Sequence, residues 1–268
     1  MVVAIIGPPE RWAPLCREHR QEADFLCVSP LRAQPKDDAG FSLFLVDLFS
    51  GRYDVLVATC PTVIEAMVGM AEERKMLERL REATERVELV VIGERTALCA
   101  TDRRLKVSSQ APEATTEALL GHLNKEERRG TVALLRSDQG SPQLVQGLLA
   151  TGWRVEEVQV FSLLLDESEE MEGLMDRLED GELDVLVFPT PAHVQAFMLQ
   201  LQGRCGHDDA IKLLGGIYVT AIGPETKLAL EGYGIEVGMV PDRADARSML
   251  RLLMEERREP KSAKGDTT

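Results

Sequence analysis

Short runs of consecutive apolar residues alternate with amphipathic segments along most of this chain. Val2 to Ile6, Val55 to Ala58 and Val185 to Phe188 are apolar at every position, and each precedes a segment in which apolar residues recur at helical spacing. Strands without polar alternation are typical of parallel sheets that are covered on both faces. The pattern therefore predicts an α/β fold built from parallel sheets with helices on both sides.

The same criteria predict the other elements. The further strands and extended segments are Phe25 to Val28, Glu88 to Ile92, Leu105 to Val107, Thr131 to Leu135, Val155 to Leu165, Ile217 to Ile222 and Ile235 to Val240. A short helix is predicted after Gly93, and others at about 10–21, 41–49, 61–72, 73–85, 111–123, 143–150, 169–178, 191–201, 224–231 and 245–256. Residues 32–40 form a polar connector that contains a proline, 136–142 a polar loop, and roughly the last dozen residues a disordered tail.

A repeat with a constant offset of 130 residues runs through the chain. A period this long exceeds that of solenoid repeats, and equal spacing is not required of unrelated α/β segments. The repeat therefore indicates two similar, domain-sized halves. The blocks that align without a gap are Gly51–Val57 on Gly181–Val187, Val90–Leu98 on Thr220–Leu228, and Ala114, Leu120 and Leu123 on Ala244, Leu250 and Leu253.

Strand-to-helix corners are the candidate binding positions. In both copies of one such corner the strand ends at a glycine, Gly93 or Gly223, where the absence of Cβ eases a sharp turn. A helix that begins there presents free backbone amides, which bind anions. Thr96 and Thr226 lie in the first helical turn, where a hydroxyl either caps the helix or contacts a ligand. In parallel sheets such corners lie beyond the carboxyl ends of the strands, where ligands bind, and corners of two facing domains can line one cleft.

Composition and charge narrow the class of partner. The chain has 268 residues, 44% of them hydrophobic, and a net charge of −14. Phosphate backbones and anionic membranes attract basic proteins, so we expect neither nucleic acid nor membrane as a partner. The five cysteines are scattered and form no C-x-x-C pair, which favours reduced thiols in a cytoplasmic protein.

Common catalytic and cofactor motifs are absent. The sequence has no G-x-G-x-x-G after a strand, no P-loop, no H-E-x-x-H and no G-x-S-x-G, which disfavours a nucleotide-dependent enzyme, a zinc hydrolase and an α/β-hydrolase. The four histidines lack ligand spacing, and His193 is interpreted as a helix-face residue. Cys60 precedes a helix, but since no base can be placed beside it we interpret it as a packing residue. We expect no metal and no cofactor.

Several motifs, in their order along the chain, resemble the uroporphyrinogen-III synthase family. The segment Ala221–Leu230 matches the family pattern A-I-G-x-x-T-A-x-A-L, with Lys227 in place of the usual alanine. Val57–Pro61 is similar to the family's strand-ending F-T-S-P, and Ala133–Arg136 with Gly140 is similar to its L-x-x-R-G region. The resemblance covers about residues 2–253.

The resemblance implies two flavodoxin- or Rossmann-like parallel-sheet domains joined by a two-stranded connector. One domain is discontinuous and comprises residues 1–33 and 166–268, whereas the other is continuous over 34–165. The connector segments, around Ala33 and Phe161, fall where the alternation of elements independently allows a crossing between domains.

The resemblance also implies an activity without a cofactor: hydroxymethylbilane, a linear tetrapyrrole, is closed to uroporphyrinogen III with loss of water and inversion of ring D. The implied partner is this small molecule, with transient contact to hydroxymethylbilane synthase, and the implied state is a monomer. The corner residues expected to meet the substrate carboxylates are Thr59, Cys60, Gly93, Thr96, Arg136, Thr190, Gly223, Thr226 and Lys227.

Two departures from the family pattern leave an alternative open. Phe161 occupies the position at which many members have a tyrosine proposed to assist loss of the hydroxyl, and phenylalanine cannot donate a proton. Pro189-Thr190-Pro191 replaces a serine-rich corner. The alternative is a two-domain protein that binds a carboxylated tetrapyrrole, or another small polyanion, without catalysis.

Overall fold

The computed structural model describes residues 1–111, 116–125, 129–140 and 142–258. Its strands are β1 (Val2–Ile6), β2 (Asp24–Val28), β3 (Leu31–Pro35), β4 (Val55–Ala58), β5 (Glu88–Ile92), β6 (Ser109–Ala111), β7 (Thr131–Ser137), β8 (Arg154–Leu165), β9 (Val185–Phe188) and β10 (Tyr218–Ala221). Its α-helices are α1 (Pro9–Cys16), α2 (Ala39–Ser50), α3 (Pro61–Glu73), α4 (Leu77–Arg86), α5 (Glu94–Asp102), α6 (Thr116–Leu123), α7 (Pro142–Ala150), α8 (Glu169–Glu179), α9 (Pro191–Cys205), α10 (His207–Gly215), α11 (Pro224–Glu231) and α12 (Ala246–Arg258).

The chain divides into two compact units. Unit 1 comprises Met1–Arg32 together with the described residues from Leu165 onward, and unit 2 comprises Ala33–Leu164. The chain leaves unit 1 within β3 and returns to it at the end of β8, and these two strands are neighbours in one sheet. The predicted α/β class, with two parallel-sheet units and a two-stranded connection, is confirmed.

Unit 1 is built on a four-stranded sheet in the order β10-β9-β1-β2, with all neighbours parallel. Successive strand residues point to opposite faces, so each face requires its own apolar cover. Ala4 and Ile6 pack with α8 to α11 on one face, whereas Val3 and Ile5 pack with α1 and α12 on the other. This two-sided burial explains why the central strands are apolar at every position.

Unit 2 repeats the arrangement around a six-stranded sheet in the order β3-β8-β7-β4-β5-β6. Leu56 and Ala58 of β4 contact the apolar residues of α2 to α5, while Val55 and Val57 contact those of α6 and α7. The pairs β8–β7, β7–β4, β4–β5 and β5–β6 are parallel. Both faces of this sheet are therefore covered by helices as well.

The strand registers carry the repeat that the sequence predicts. The four-strand order β8-β7-β4-β5 in unit 2 corresponds to β2-β1-β9-β10 in unit 1. The pair Val90↔Ser109 in unit 2 has its counterpart 130 residues later in the isolated bridge Thr220↔Met239 of unit 1. The two units are thus similar in topology as well as in the sequence blocks that repeat.

Several local predictions are wrong. The extended segment predicted at Leu105 to Val107 lies later, at β6, and the strand predicted at Ile235 to Val240 is reduced to the bridge at Met239. The helix α10 was not expected, and the polar connector at 32–40 contains most of β3. Arg136 belongs to β7 rather than to a loop. The predictions for 112–115, 126–128 and the tail fall outside the described residues.

Among the described residues, no helix combines the length and apolarity needed to cross a membrane.

Candidate functional site

Each unit has several strand-to-helix corners along the carboxyl edge of its sheet. In unit 2 the strands β7, β4 and β5 are adjacent, and in unit 1 the strands β10, β9 and β1 are adjacent. The helices that follow these strands begin with amides that have no intrahelical acceptor. The predicted site residues at these corners are Thr59, Cys60, Gly93, Thr96 and Arg136 in unit 2, and Thr190, Gly223, Thr226 and Lys227 in unit 1.

The corner between β4 and α3 holds two of the predicted residues. The hydroxyl of Thr59 donates to the carbonyl oxygen of Leu135, 3.2 Å away on the neighbouring strand. Cys60 is the extended residue before α3, with φ −160° and ψ 166°. Burial raises the pKa of the Cys60 thiol, so the thiol form dominates near neutral pH and the residue is a poor nucleophile. This corner therefore offers backbone amides rather than a reactive sulfur, because the Thr59 hydroxyl is already bonded to Leu135.

The corner between β5 and α5 requires its glycine. Gly93 has φ 79° and ψ 154°, a conformation that residues with a Cβ rarely adopt. Thr96 is buried, and its hydroxyl donates to the carbonyl oxygen of Ile92 at 2.7 Å. That bond closes the first turn of α5 onto the end of its strand. The Thr96 hydroxyl therefore fixes the shape of the corner.

The matching corner between β10 and α11 differs in two ways. Gly223 is extended, with φ −165° and ψ 174°, so the sharp turn expected there is absent. Glycine instead makes room for a neighbour, because a Cβ at this position would lie 3.2 Å from the Cβ of Ala244. Thr226 is 3% exposed, and no hydrogen bond of its hydroxyl occurs within the described residues. Of the two matched threonines, Thr226 thus keeps the capacity to bond to a ligand.

Lys227 lies one residue further along α11. Its Nζ is 3.6 Å from Glu231 Oε1, one helical turn away, and both side chains are nearly half exposed. A pair of this kind contributes little to stability because water screens it. The lysine can therefore turn toward an anionic ligand at small cost.

The corner between β9 and α9 contains His193, which the sequence pattern indicates to be a helix-face residue. Thr190 caps α9 by accepting a hydrogen bond from the backbone amide of His193 at 3.3 Å. The Thr190 hydroxyl also contacts His193 Nδ1 at 2.7 Å. Burial, reinforced by the positive charge of Arg11, lowers the pKa of His193 to about 4. His193 is consequently neutral near pH 7, and its position three residues after a capping threonine is the sequence signal that identifies it.

Arg136 is a buried cation at the end of β7. It is 7% exposed, its Nε lies 3.3 Å from Glu157 Oε2, and its Nη2 donates to the carbonyl oxygen of Gly140. Any side chain at Gly140 would overlap the guanidinium. A buried charge needs such partners because desolvation is costly. Arg136 therefore holds the loop after β7 against the end of its strand.

Phe161 lies in β8 beside Ser137, immediately after an irregularity in the pairing of β7 and β8. It is 5% exposed and packs in the core of unit 2. Its backbone carbonyl accepts a hydrogen bond from the amide of Asp138 at 3.2 Å. The side chain can pack but cannot transfer a proton.

Within the part of the chain that the structure describes, no cluster of three or more His, Cys, Asp or Glu side chains could hold a metal ion. The chemistry available at the corners is hydrogen bonding from amides and hydroxyls, supplemented by the positive charges of Arg136 and Lys227.

Comparison with known proteins gives a consistent result. A family model described as Uroporphyrinogen-III synthase HemD matches residues 10–251. A protein of Methanothermobacter thermautotrophicus that is provisionally named a uroporphyrinogen-III synthase is 28% identical over 253 residues, covering 94% of this chain and 96% of its own. The uroporphyrinogen-III synthase of Chlorobaculum parvum is 22% identical over 255 residues, covering 94% and 98%.

Two solved structures are similar in fold. A mutant uroporphyrinogen III synthase of Thermus thermophilus aligns with a TM-score of 0.63 at 19% identity, covering 97% of this chain and 100% of its own. The uroporphyrinogen-III synthetase of Helicobacter pylori aligns with a TM-score of 0.64 at 17% identity, covering 95% and 99%. At these low sequence identities, the similarity to the two structures shows the fold alone.

Proposed function

The chain belongs to the uroporphyrinogen-III synthase family, and from this we propose that its strand-end corners hold the linear tetrapyrrole of that reaction. The activity is the closure of hydroxymethylbilane to uroporphyrinogen III, with loss of water and inversion of ring D. The match of the family model across residues 10–251 is the observation that carries this assignment. From the chemistry of the corners we also propose which residues contact the substrate.

The task of the protein is to position the substrate. Hydroxymethylbilane that is left to itself closes without inverting ring D, so the reacting carbons must be held for the substituted carbon of the terminal ring to attack. Fixing reacting groups in the correct geometry can supply a large part of a rate enhancement. The carboxylates of the substrate are the natural handles, because they are charged, distributed along the chain and remote from the bonds that change.

We propose the strand-end corners as the groups that contact these carboxylates. Thr226 is supported most directly, because its hydroxyl has no hydrogen bond within the described residues. Thr96 acts by shaping its corner, since its own hydroxyl is bonded to Ile92. Helix-start amides are suitable donors to carboxylates. The assigned groups are the amides near Thr59, Cys60 and Gly93 with the charge of Arg136 in unit 2, and the amides after Thr190 and Gly223 with Thr226 and Lys227 in unit 1.

Loss of the substrate hydroxyl requires a proton, and Phe161 cannot supply one. None of the residues that we assign to the substrate has a carboxyl group, and we propose a bound water or a substrate carboxyl as the donor. General acid assistance typically contributes about 10²- to 10⁴-fold, so its partial replacement by water leaves most of the positioning effect. We expect a slower enzyme that still forms the inverted isomer.

The setting of the reaction follows from the instability of its substrate. Since free hydroxymethylbilane is lost to the uninverted product, transient contact with hydroxymethylbilane synthase would favour the correct isomer. We propose a monomer acting in the cytoplasm, and the cytoplasmic location is supported by the five free cysteines because reducing compartments preserve thiols.

The decisive experiment supplies freshly prepared hydroxymethylbilane and separates the isomers of the oxidised products by chromatography. We expect isomer III to dominate with the protein present and isomer I to dominate in a protein-free control. Formation of isomer I alone, at the uncatalysed rate, would contradict the activity. If a linear tetrapyrrole analogue then raised the melting temperature, the protein would be a binder without catalysis.

A further inference from the structure

Two cysteines of unit 1, neither of them among the predicted site residues, lie in direct contact. Cys16 is the last residue of α1, and Cys27 lies in β2, the edge strand of the four-stranded sheet. Their Sγ atoms are 3.8 Å apart. Cys16 is buried, whereas Cys27 is partly exposed. The pair is therefore a dithiol with one sulfur accessible and the other behind it.

The two thiols are chemically unequal. With Cys16 as the donor, its hydrogen bond lowers the pKa of Cys27, and the same bond together with burial raises the pKa of Cys16. A thiolate is far more nucleophilic than a thiol. Cys27 is thus suited to react first, and Cys16 is placed to react with the product.

A small reagent has access to Cys27. A surface depression of about 370 Å³ is lined by Cys16, Cys27, Arg17 and Arg20. Both arginines are exposed, and Asp24 also lines the depression, so water screens these charges and the sulfur contact itself makes Cys27 the more acidic thiol. Access is one of the features that distinguish reactive cysteines from buried structural ones.

The contact between the two sulfurs must shorten before a bond can form. A disulfide requires a sulfur separation of about 2.05 Å, compared with the 3.8 Å observed. Pro14 lies inside α1 and lacks the amide that would bond to the preceding turn, and a 3₁₀ turn follows the helix at Arg17–His19. The end of α1 is therefore less constrained than a regular helix would be.

From this geometry we propose that Cys16 and Cys27 are an oxidation site that hydroperoxides convert to an intramolecular disulfide. The Cys27 thiolate attacks one oxygen of hydrogen peroxide, the O–O bond breaks, and protonation of the leaving oxygen gives water and a Cys27 sulfenic acid. The sulfur of Cys16 then attacks that of Cys27, its proton is lost, and the sulfenic oxygen leaves as a second water. Two thiols are oxidised while one hydrogen peroxide is reduced to two waters.

Peptide mapping tests the proposal on the full chain. The folded protein is treated with graded hydrogen peroxide, its remaining thiols are blocked with N-ethylmaleimide, and it is digested with trypsin without reduction. Cleavage after Arg17 and Arg20 separates the two cysteines, so the disulfide joins peptide 12–17 to peptide 21–32. We expect this linked pair at the lowest effective peroxide dose, with recovery of both free peptides after dithiothreitol.

Variants separate a paired site from two independent thiols. In Cys16→Ser we expect Cys27 to accumulate as a sulfenic acid that dimedone traps, and in Cys27→Ser we expect Cys16 to remain reduced at the same dose. Cys205→Ser is the control, because the Cys205 sulfur donates instead to the Leu201 carbonyl at 3.2 Å, and it should form the linked pair normally. Oxidation of the other cysteines before any linked pair appears would overturn the proposal.

Discussion

The role of Arg136 in substrate binding can be tested by adding a single carbon at the neighbouring Gly140, a change that should affect binding more than folding. A Cβ at Gly140 would overlap its guanidinium, so Gly140→Ala must displace the charge that we assign to a substrate carboxylate. We expect kcat/KM for isomer III to fall about tenfold, equivalent to about 1.4 kcal/mol of lost interaction. Steady-state kinetics with hydroxymethylbilane would measure the loss.

The matched control for that variant is Gly69→Ala. Gly69 lies within α3, and a Cβ there would meet nothing within 4 Å. Alanine in a helix interior lowers the entropy of the unfolded chain and should leave activity unchanged while stability stays equal or rises by up to about 1 kcal/mol. If Gly140→Ala and Gly69→Ala had equal kinetics, Arg136 would not contribute to substrate binding.

His193 should make the stability of the protein depend on pH. Its pKa in the folded state is about 4, whereas the unfolded chain binds the proton near an ordinary value of about 6.5. As pH falls from about 6.5 to about 4, the unfolded state therefore binds more protons and the free energy of unfolding decreases, by up to about 1.4 kcal/mol per pH unit. Urea unfolding across this range should show the decrease.

The variant His193→Gln should remove that part of the pH dependence. His207→Gln is its control, because His207 is exposed and its ring contacts the side chain of Gln202 at 2.9 Å. We expect His207→Gln to retain the wild-type slope. If both variants and the wild type lost stability in parallel, His193 would not be the group responsible.

At the scale of elements, the two glycine corners provide a direct comparison. Gly93 has a positive φ, so Gly93→Ala should cost about 1–3 kcal/mol of folding free energy through backbone strain. Gly223 is extended and its neighbour is a small side chain, Ala244, so Gly223→Ala should cost less. Chemical denaturation of both variants measures the difference, and equal losses would contradict this explanation of the corners.

Elements defined by continuous apolar runs could be predicted from the sequence, whereas those that depend on packing could not. β4 and β9 have the predicted bounds because every residue in them is apolar and buried. The helix α10 was missed because its charged residues mask its two buried positions, Ala210 and Leu214. Residues 235–240 have strand-like composition, but their pairing is confined to one bridge at Met239.

The positions of the candidate site along the chain could also be predicted from the sequence, whereas the hydrogen bonds and burial of its side chains could not. The repeat and the parallel-sheet rule located the corners, because both depend on spacing along the chain. Sequence could not reveal that the Thr96 hydroxyl is bonded to Ile92 while no such bond occupies Thr226 within the described residues, since the two threonines occupy matching positions. It also could not reveal the burial of Arg136 or the partial burial of His193, because burial depends on neighbours that other elements contribute.

At the scale of the whole molecule, chain connectivity should govern which part folds alone. Unit 2 is one continuous segment, and its two apolar clusters contain residues of that segment on both faces of the sheet. Unit 1 takes β1 and β2 from the first segment and β9 and β10 from the last, with Val3 paired to Val185. Each segment of unit 1 alone would expose the apolar face that the other covers.

We therefore expect a fragment of residues 31–165, which includes both connecting strands, to fold cooperatively when it is expressed alone. Burial of a complete core is what a domain of this size needs for independent stability. Fragments 1–30 and 166–258 should each remain unfolded when separate and gain helical circular dichroism when mixed. A fragment 31–165 that lacks a cooperative denaturant transition would mean that unit 2 depends on unit 1 for its stability, and that the duplicated halves no longer fold as separate domains.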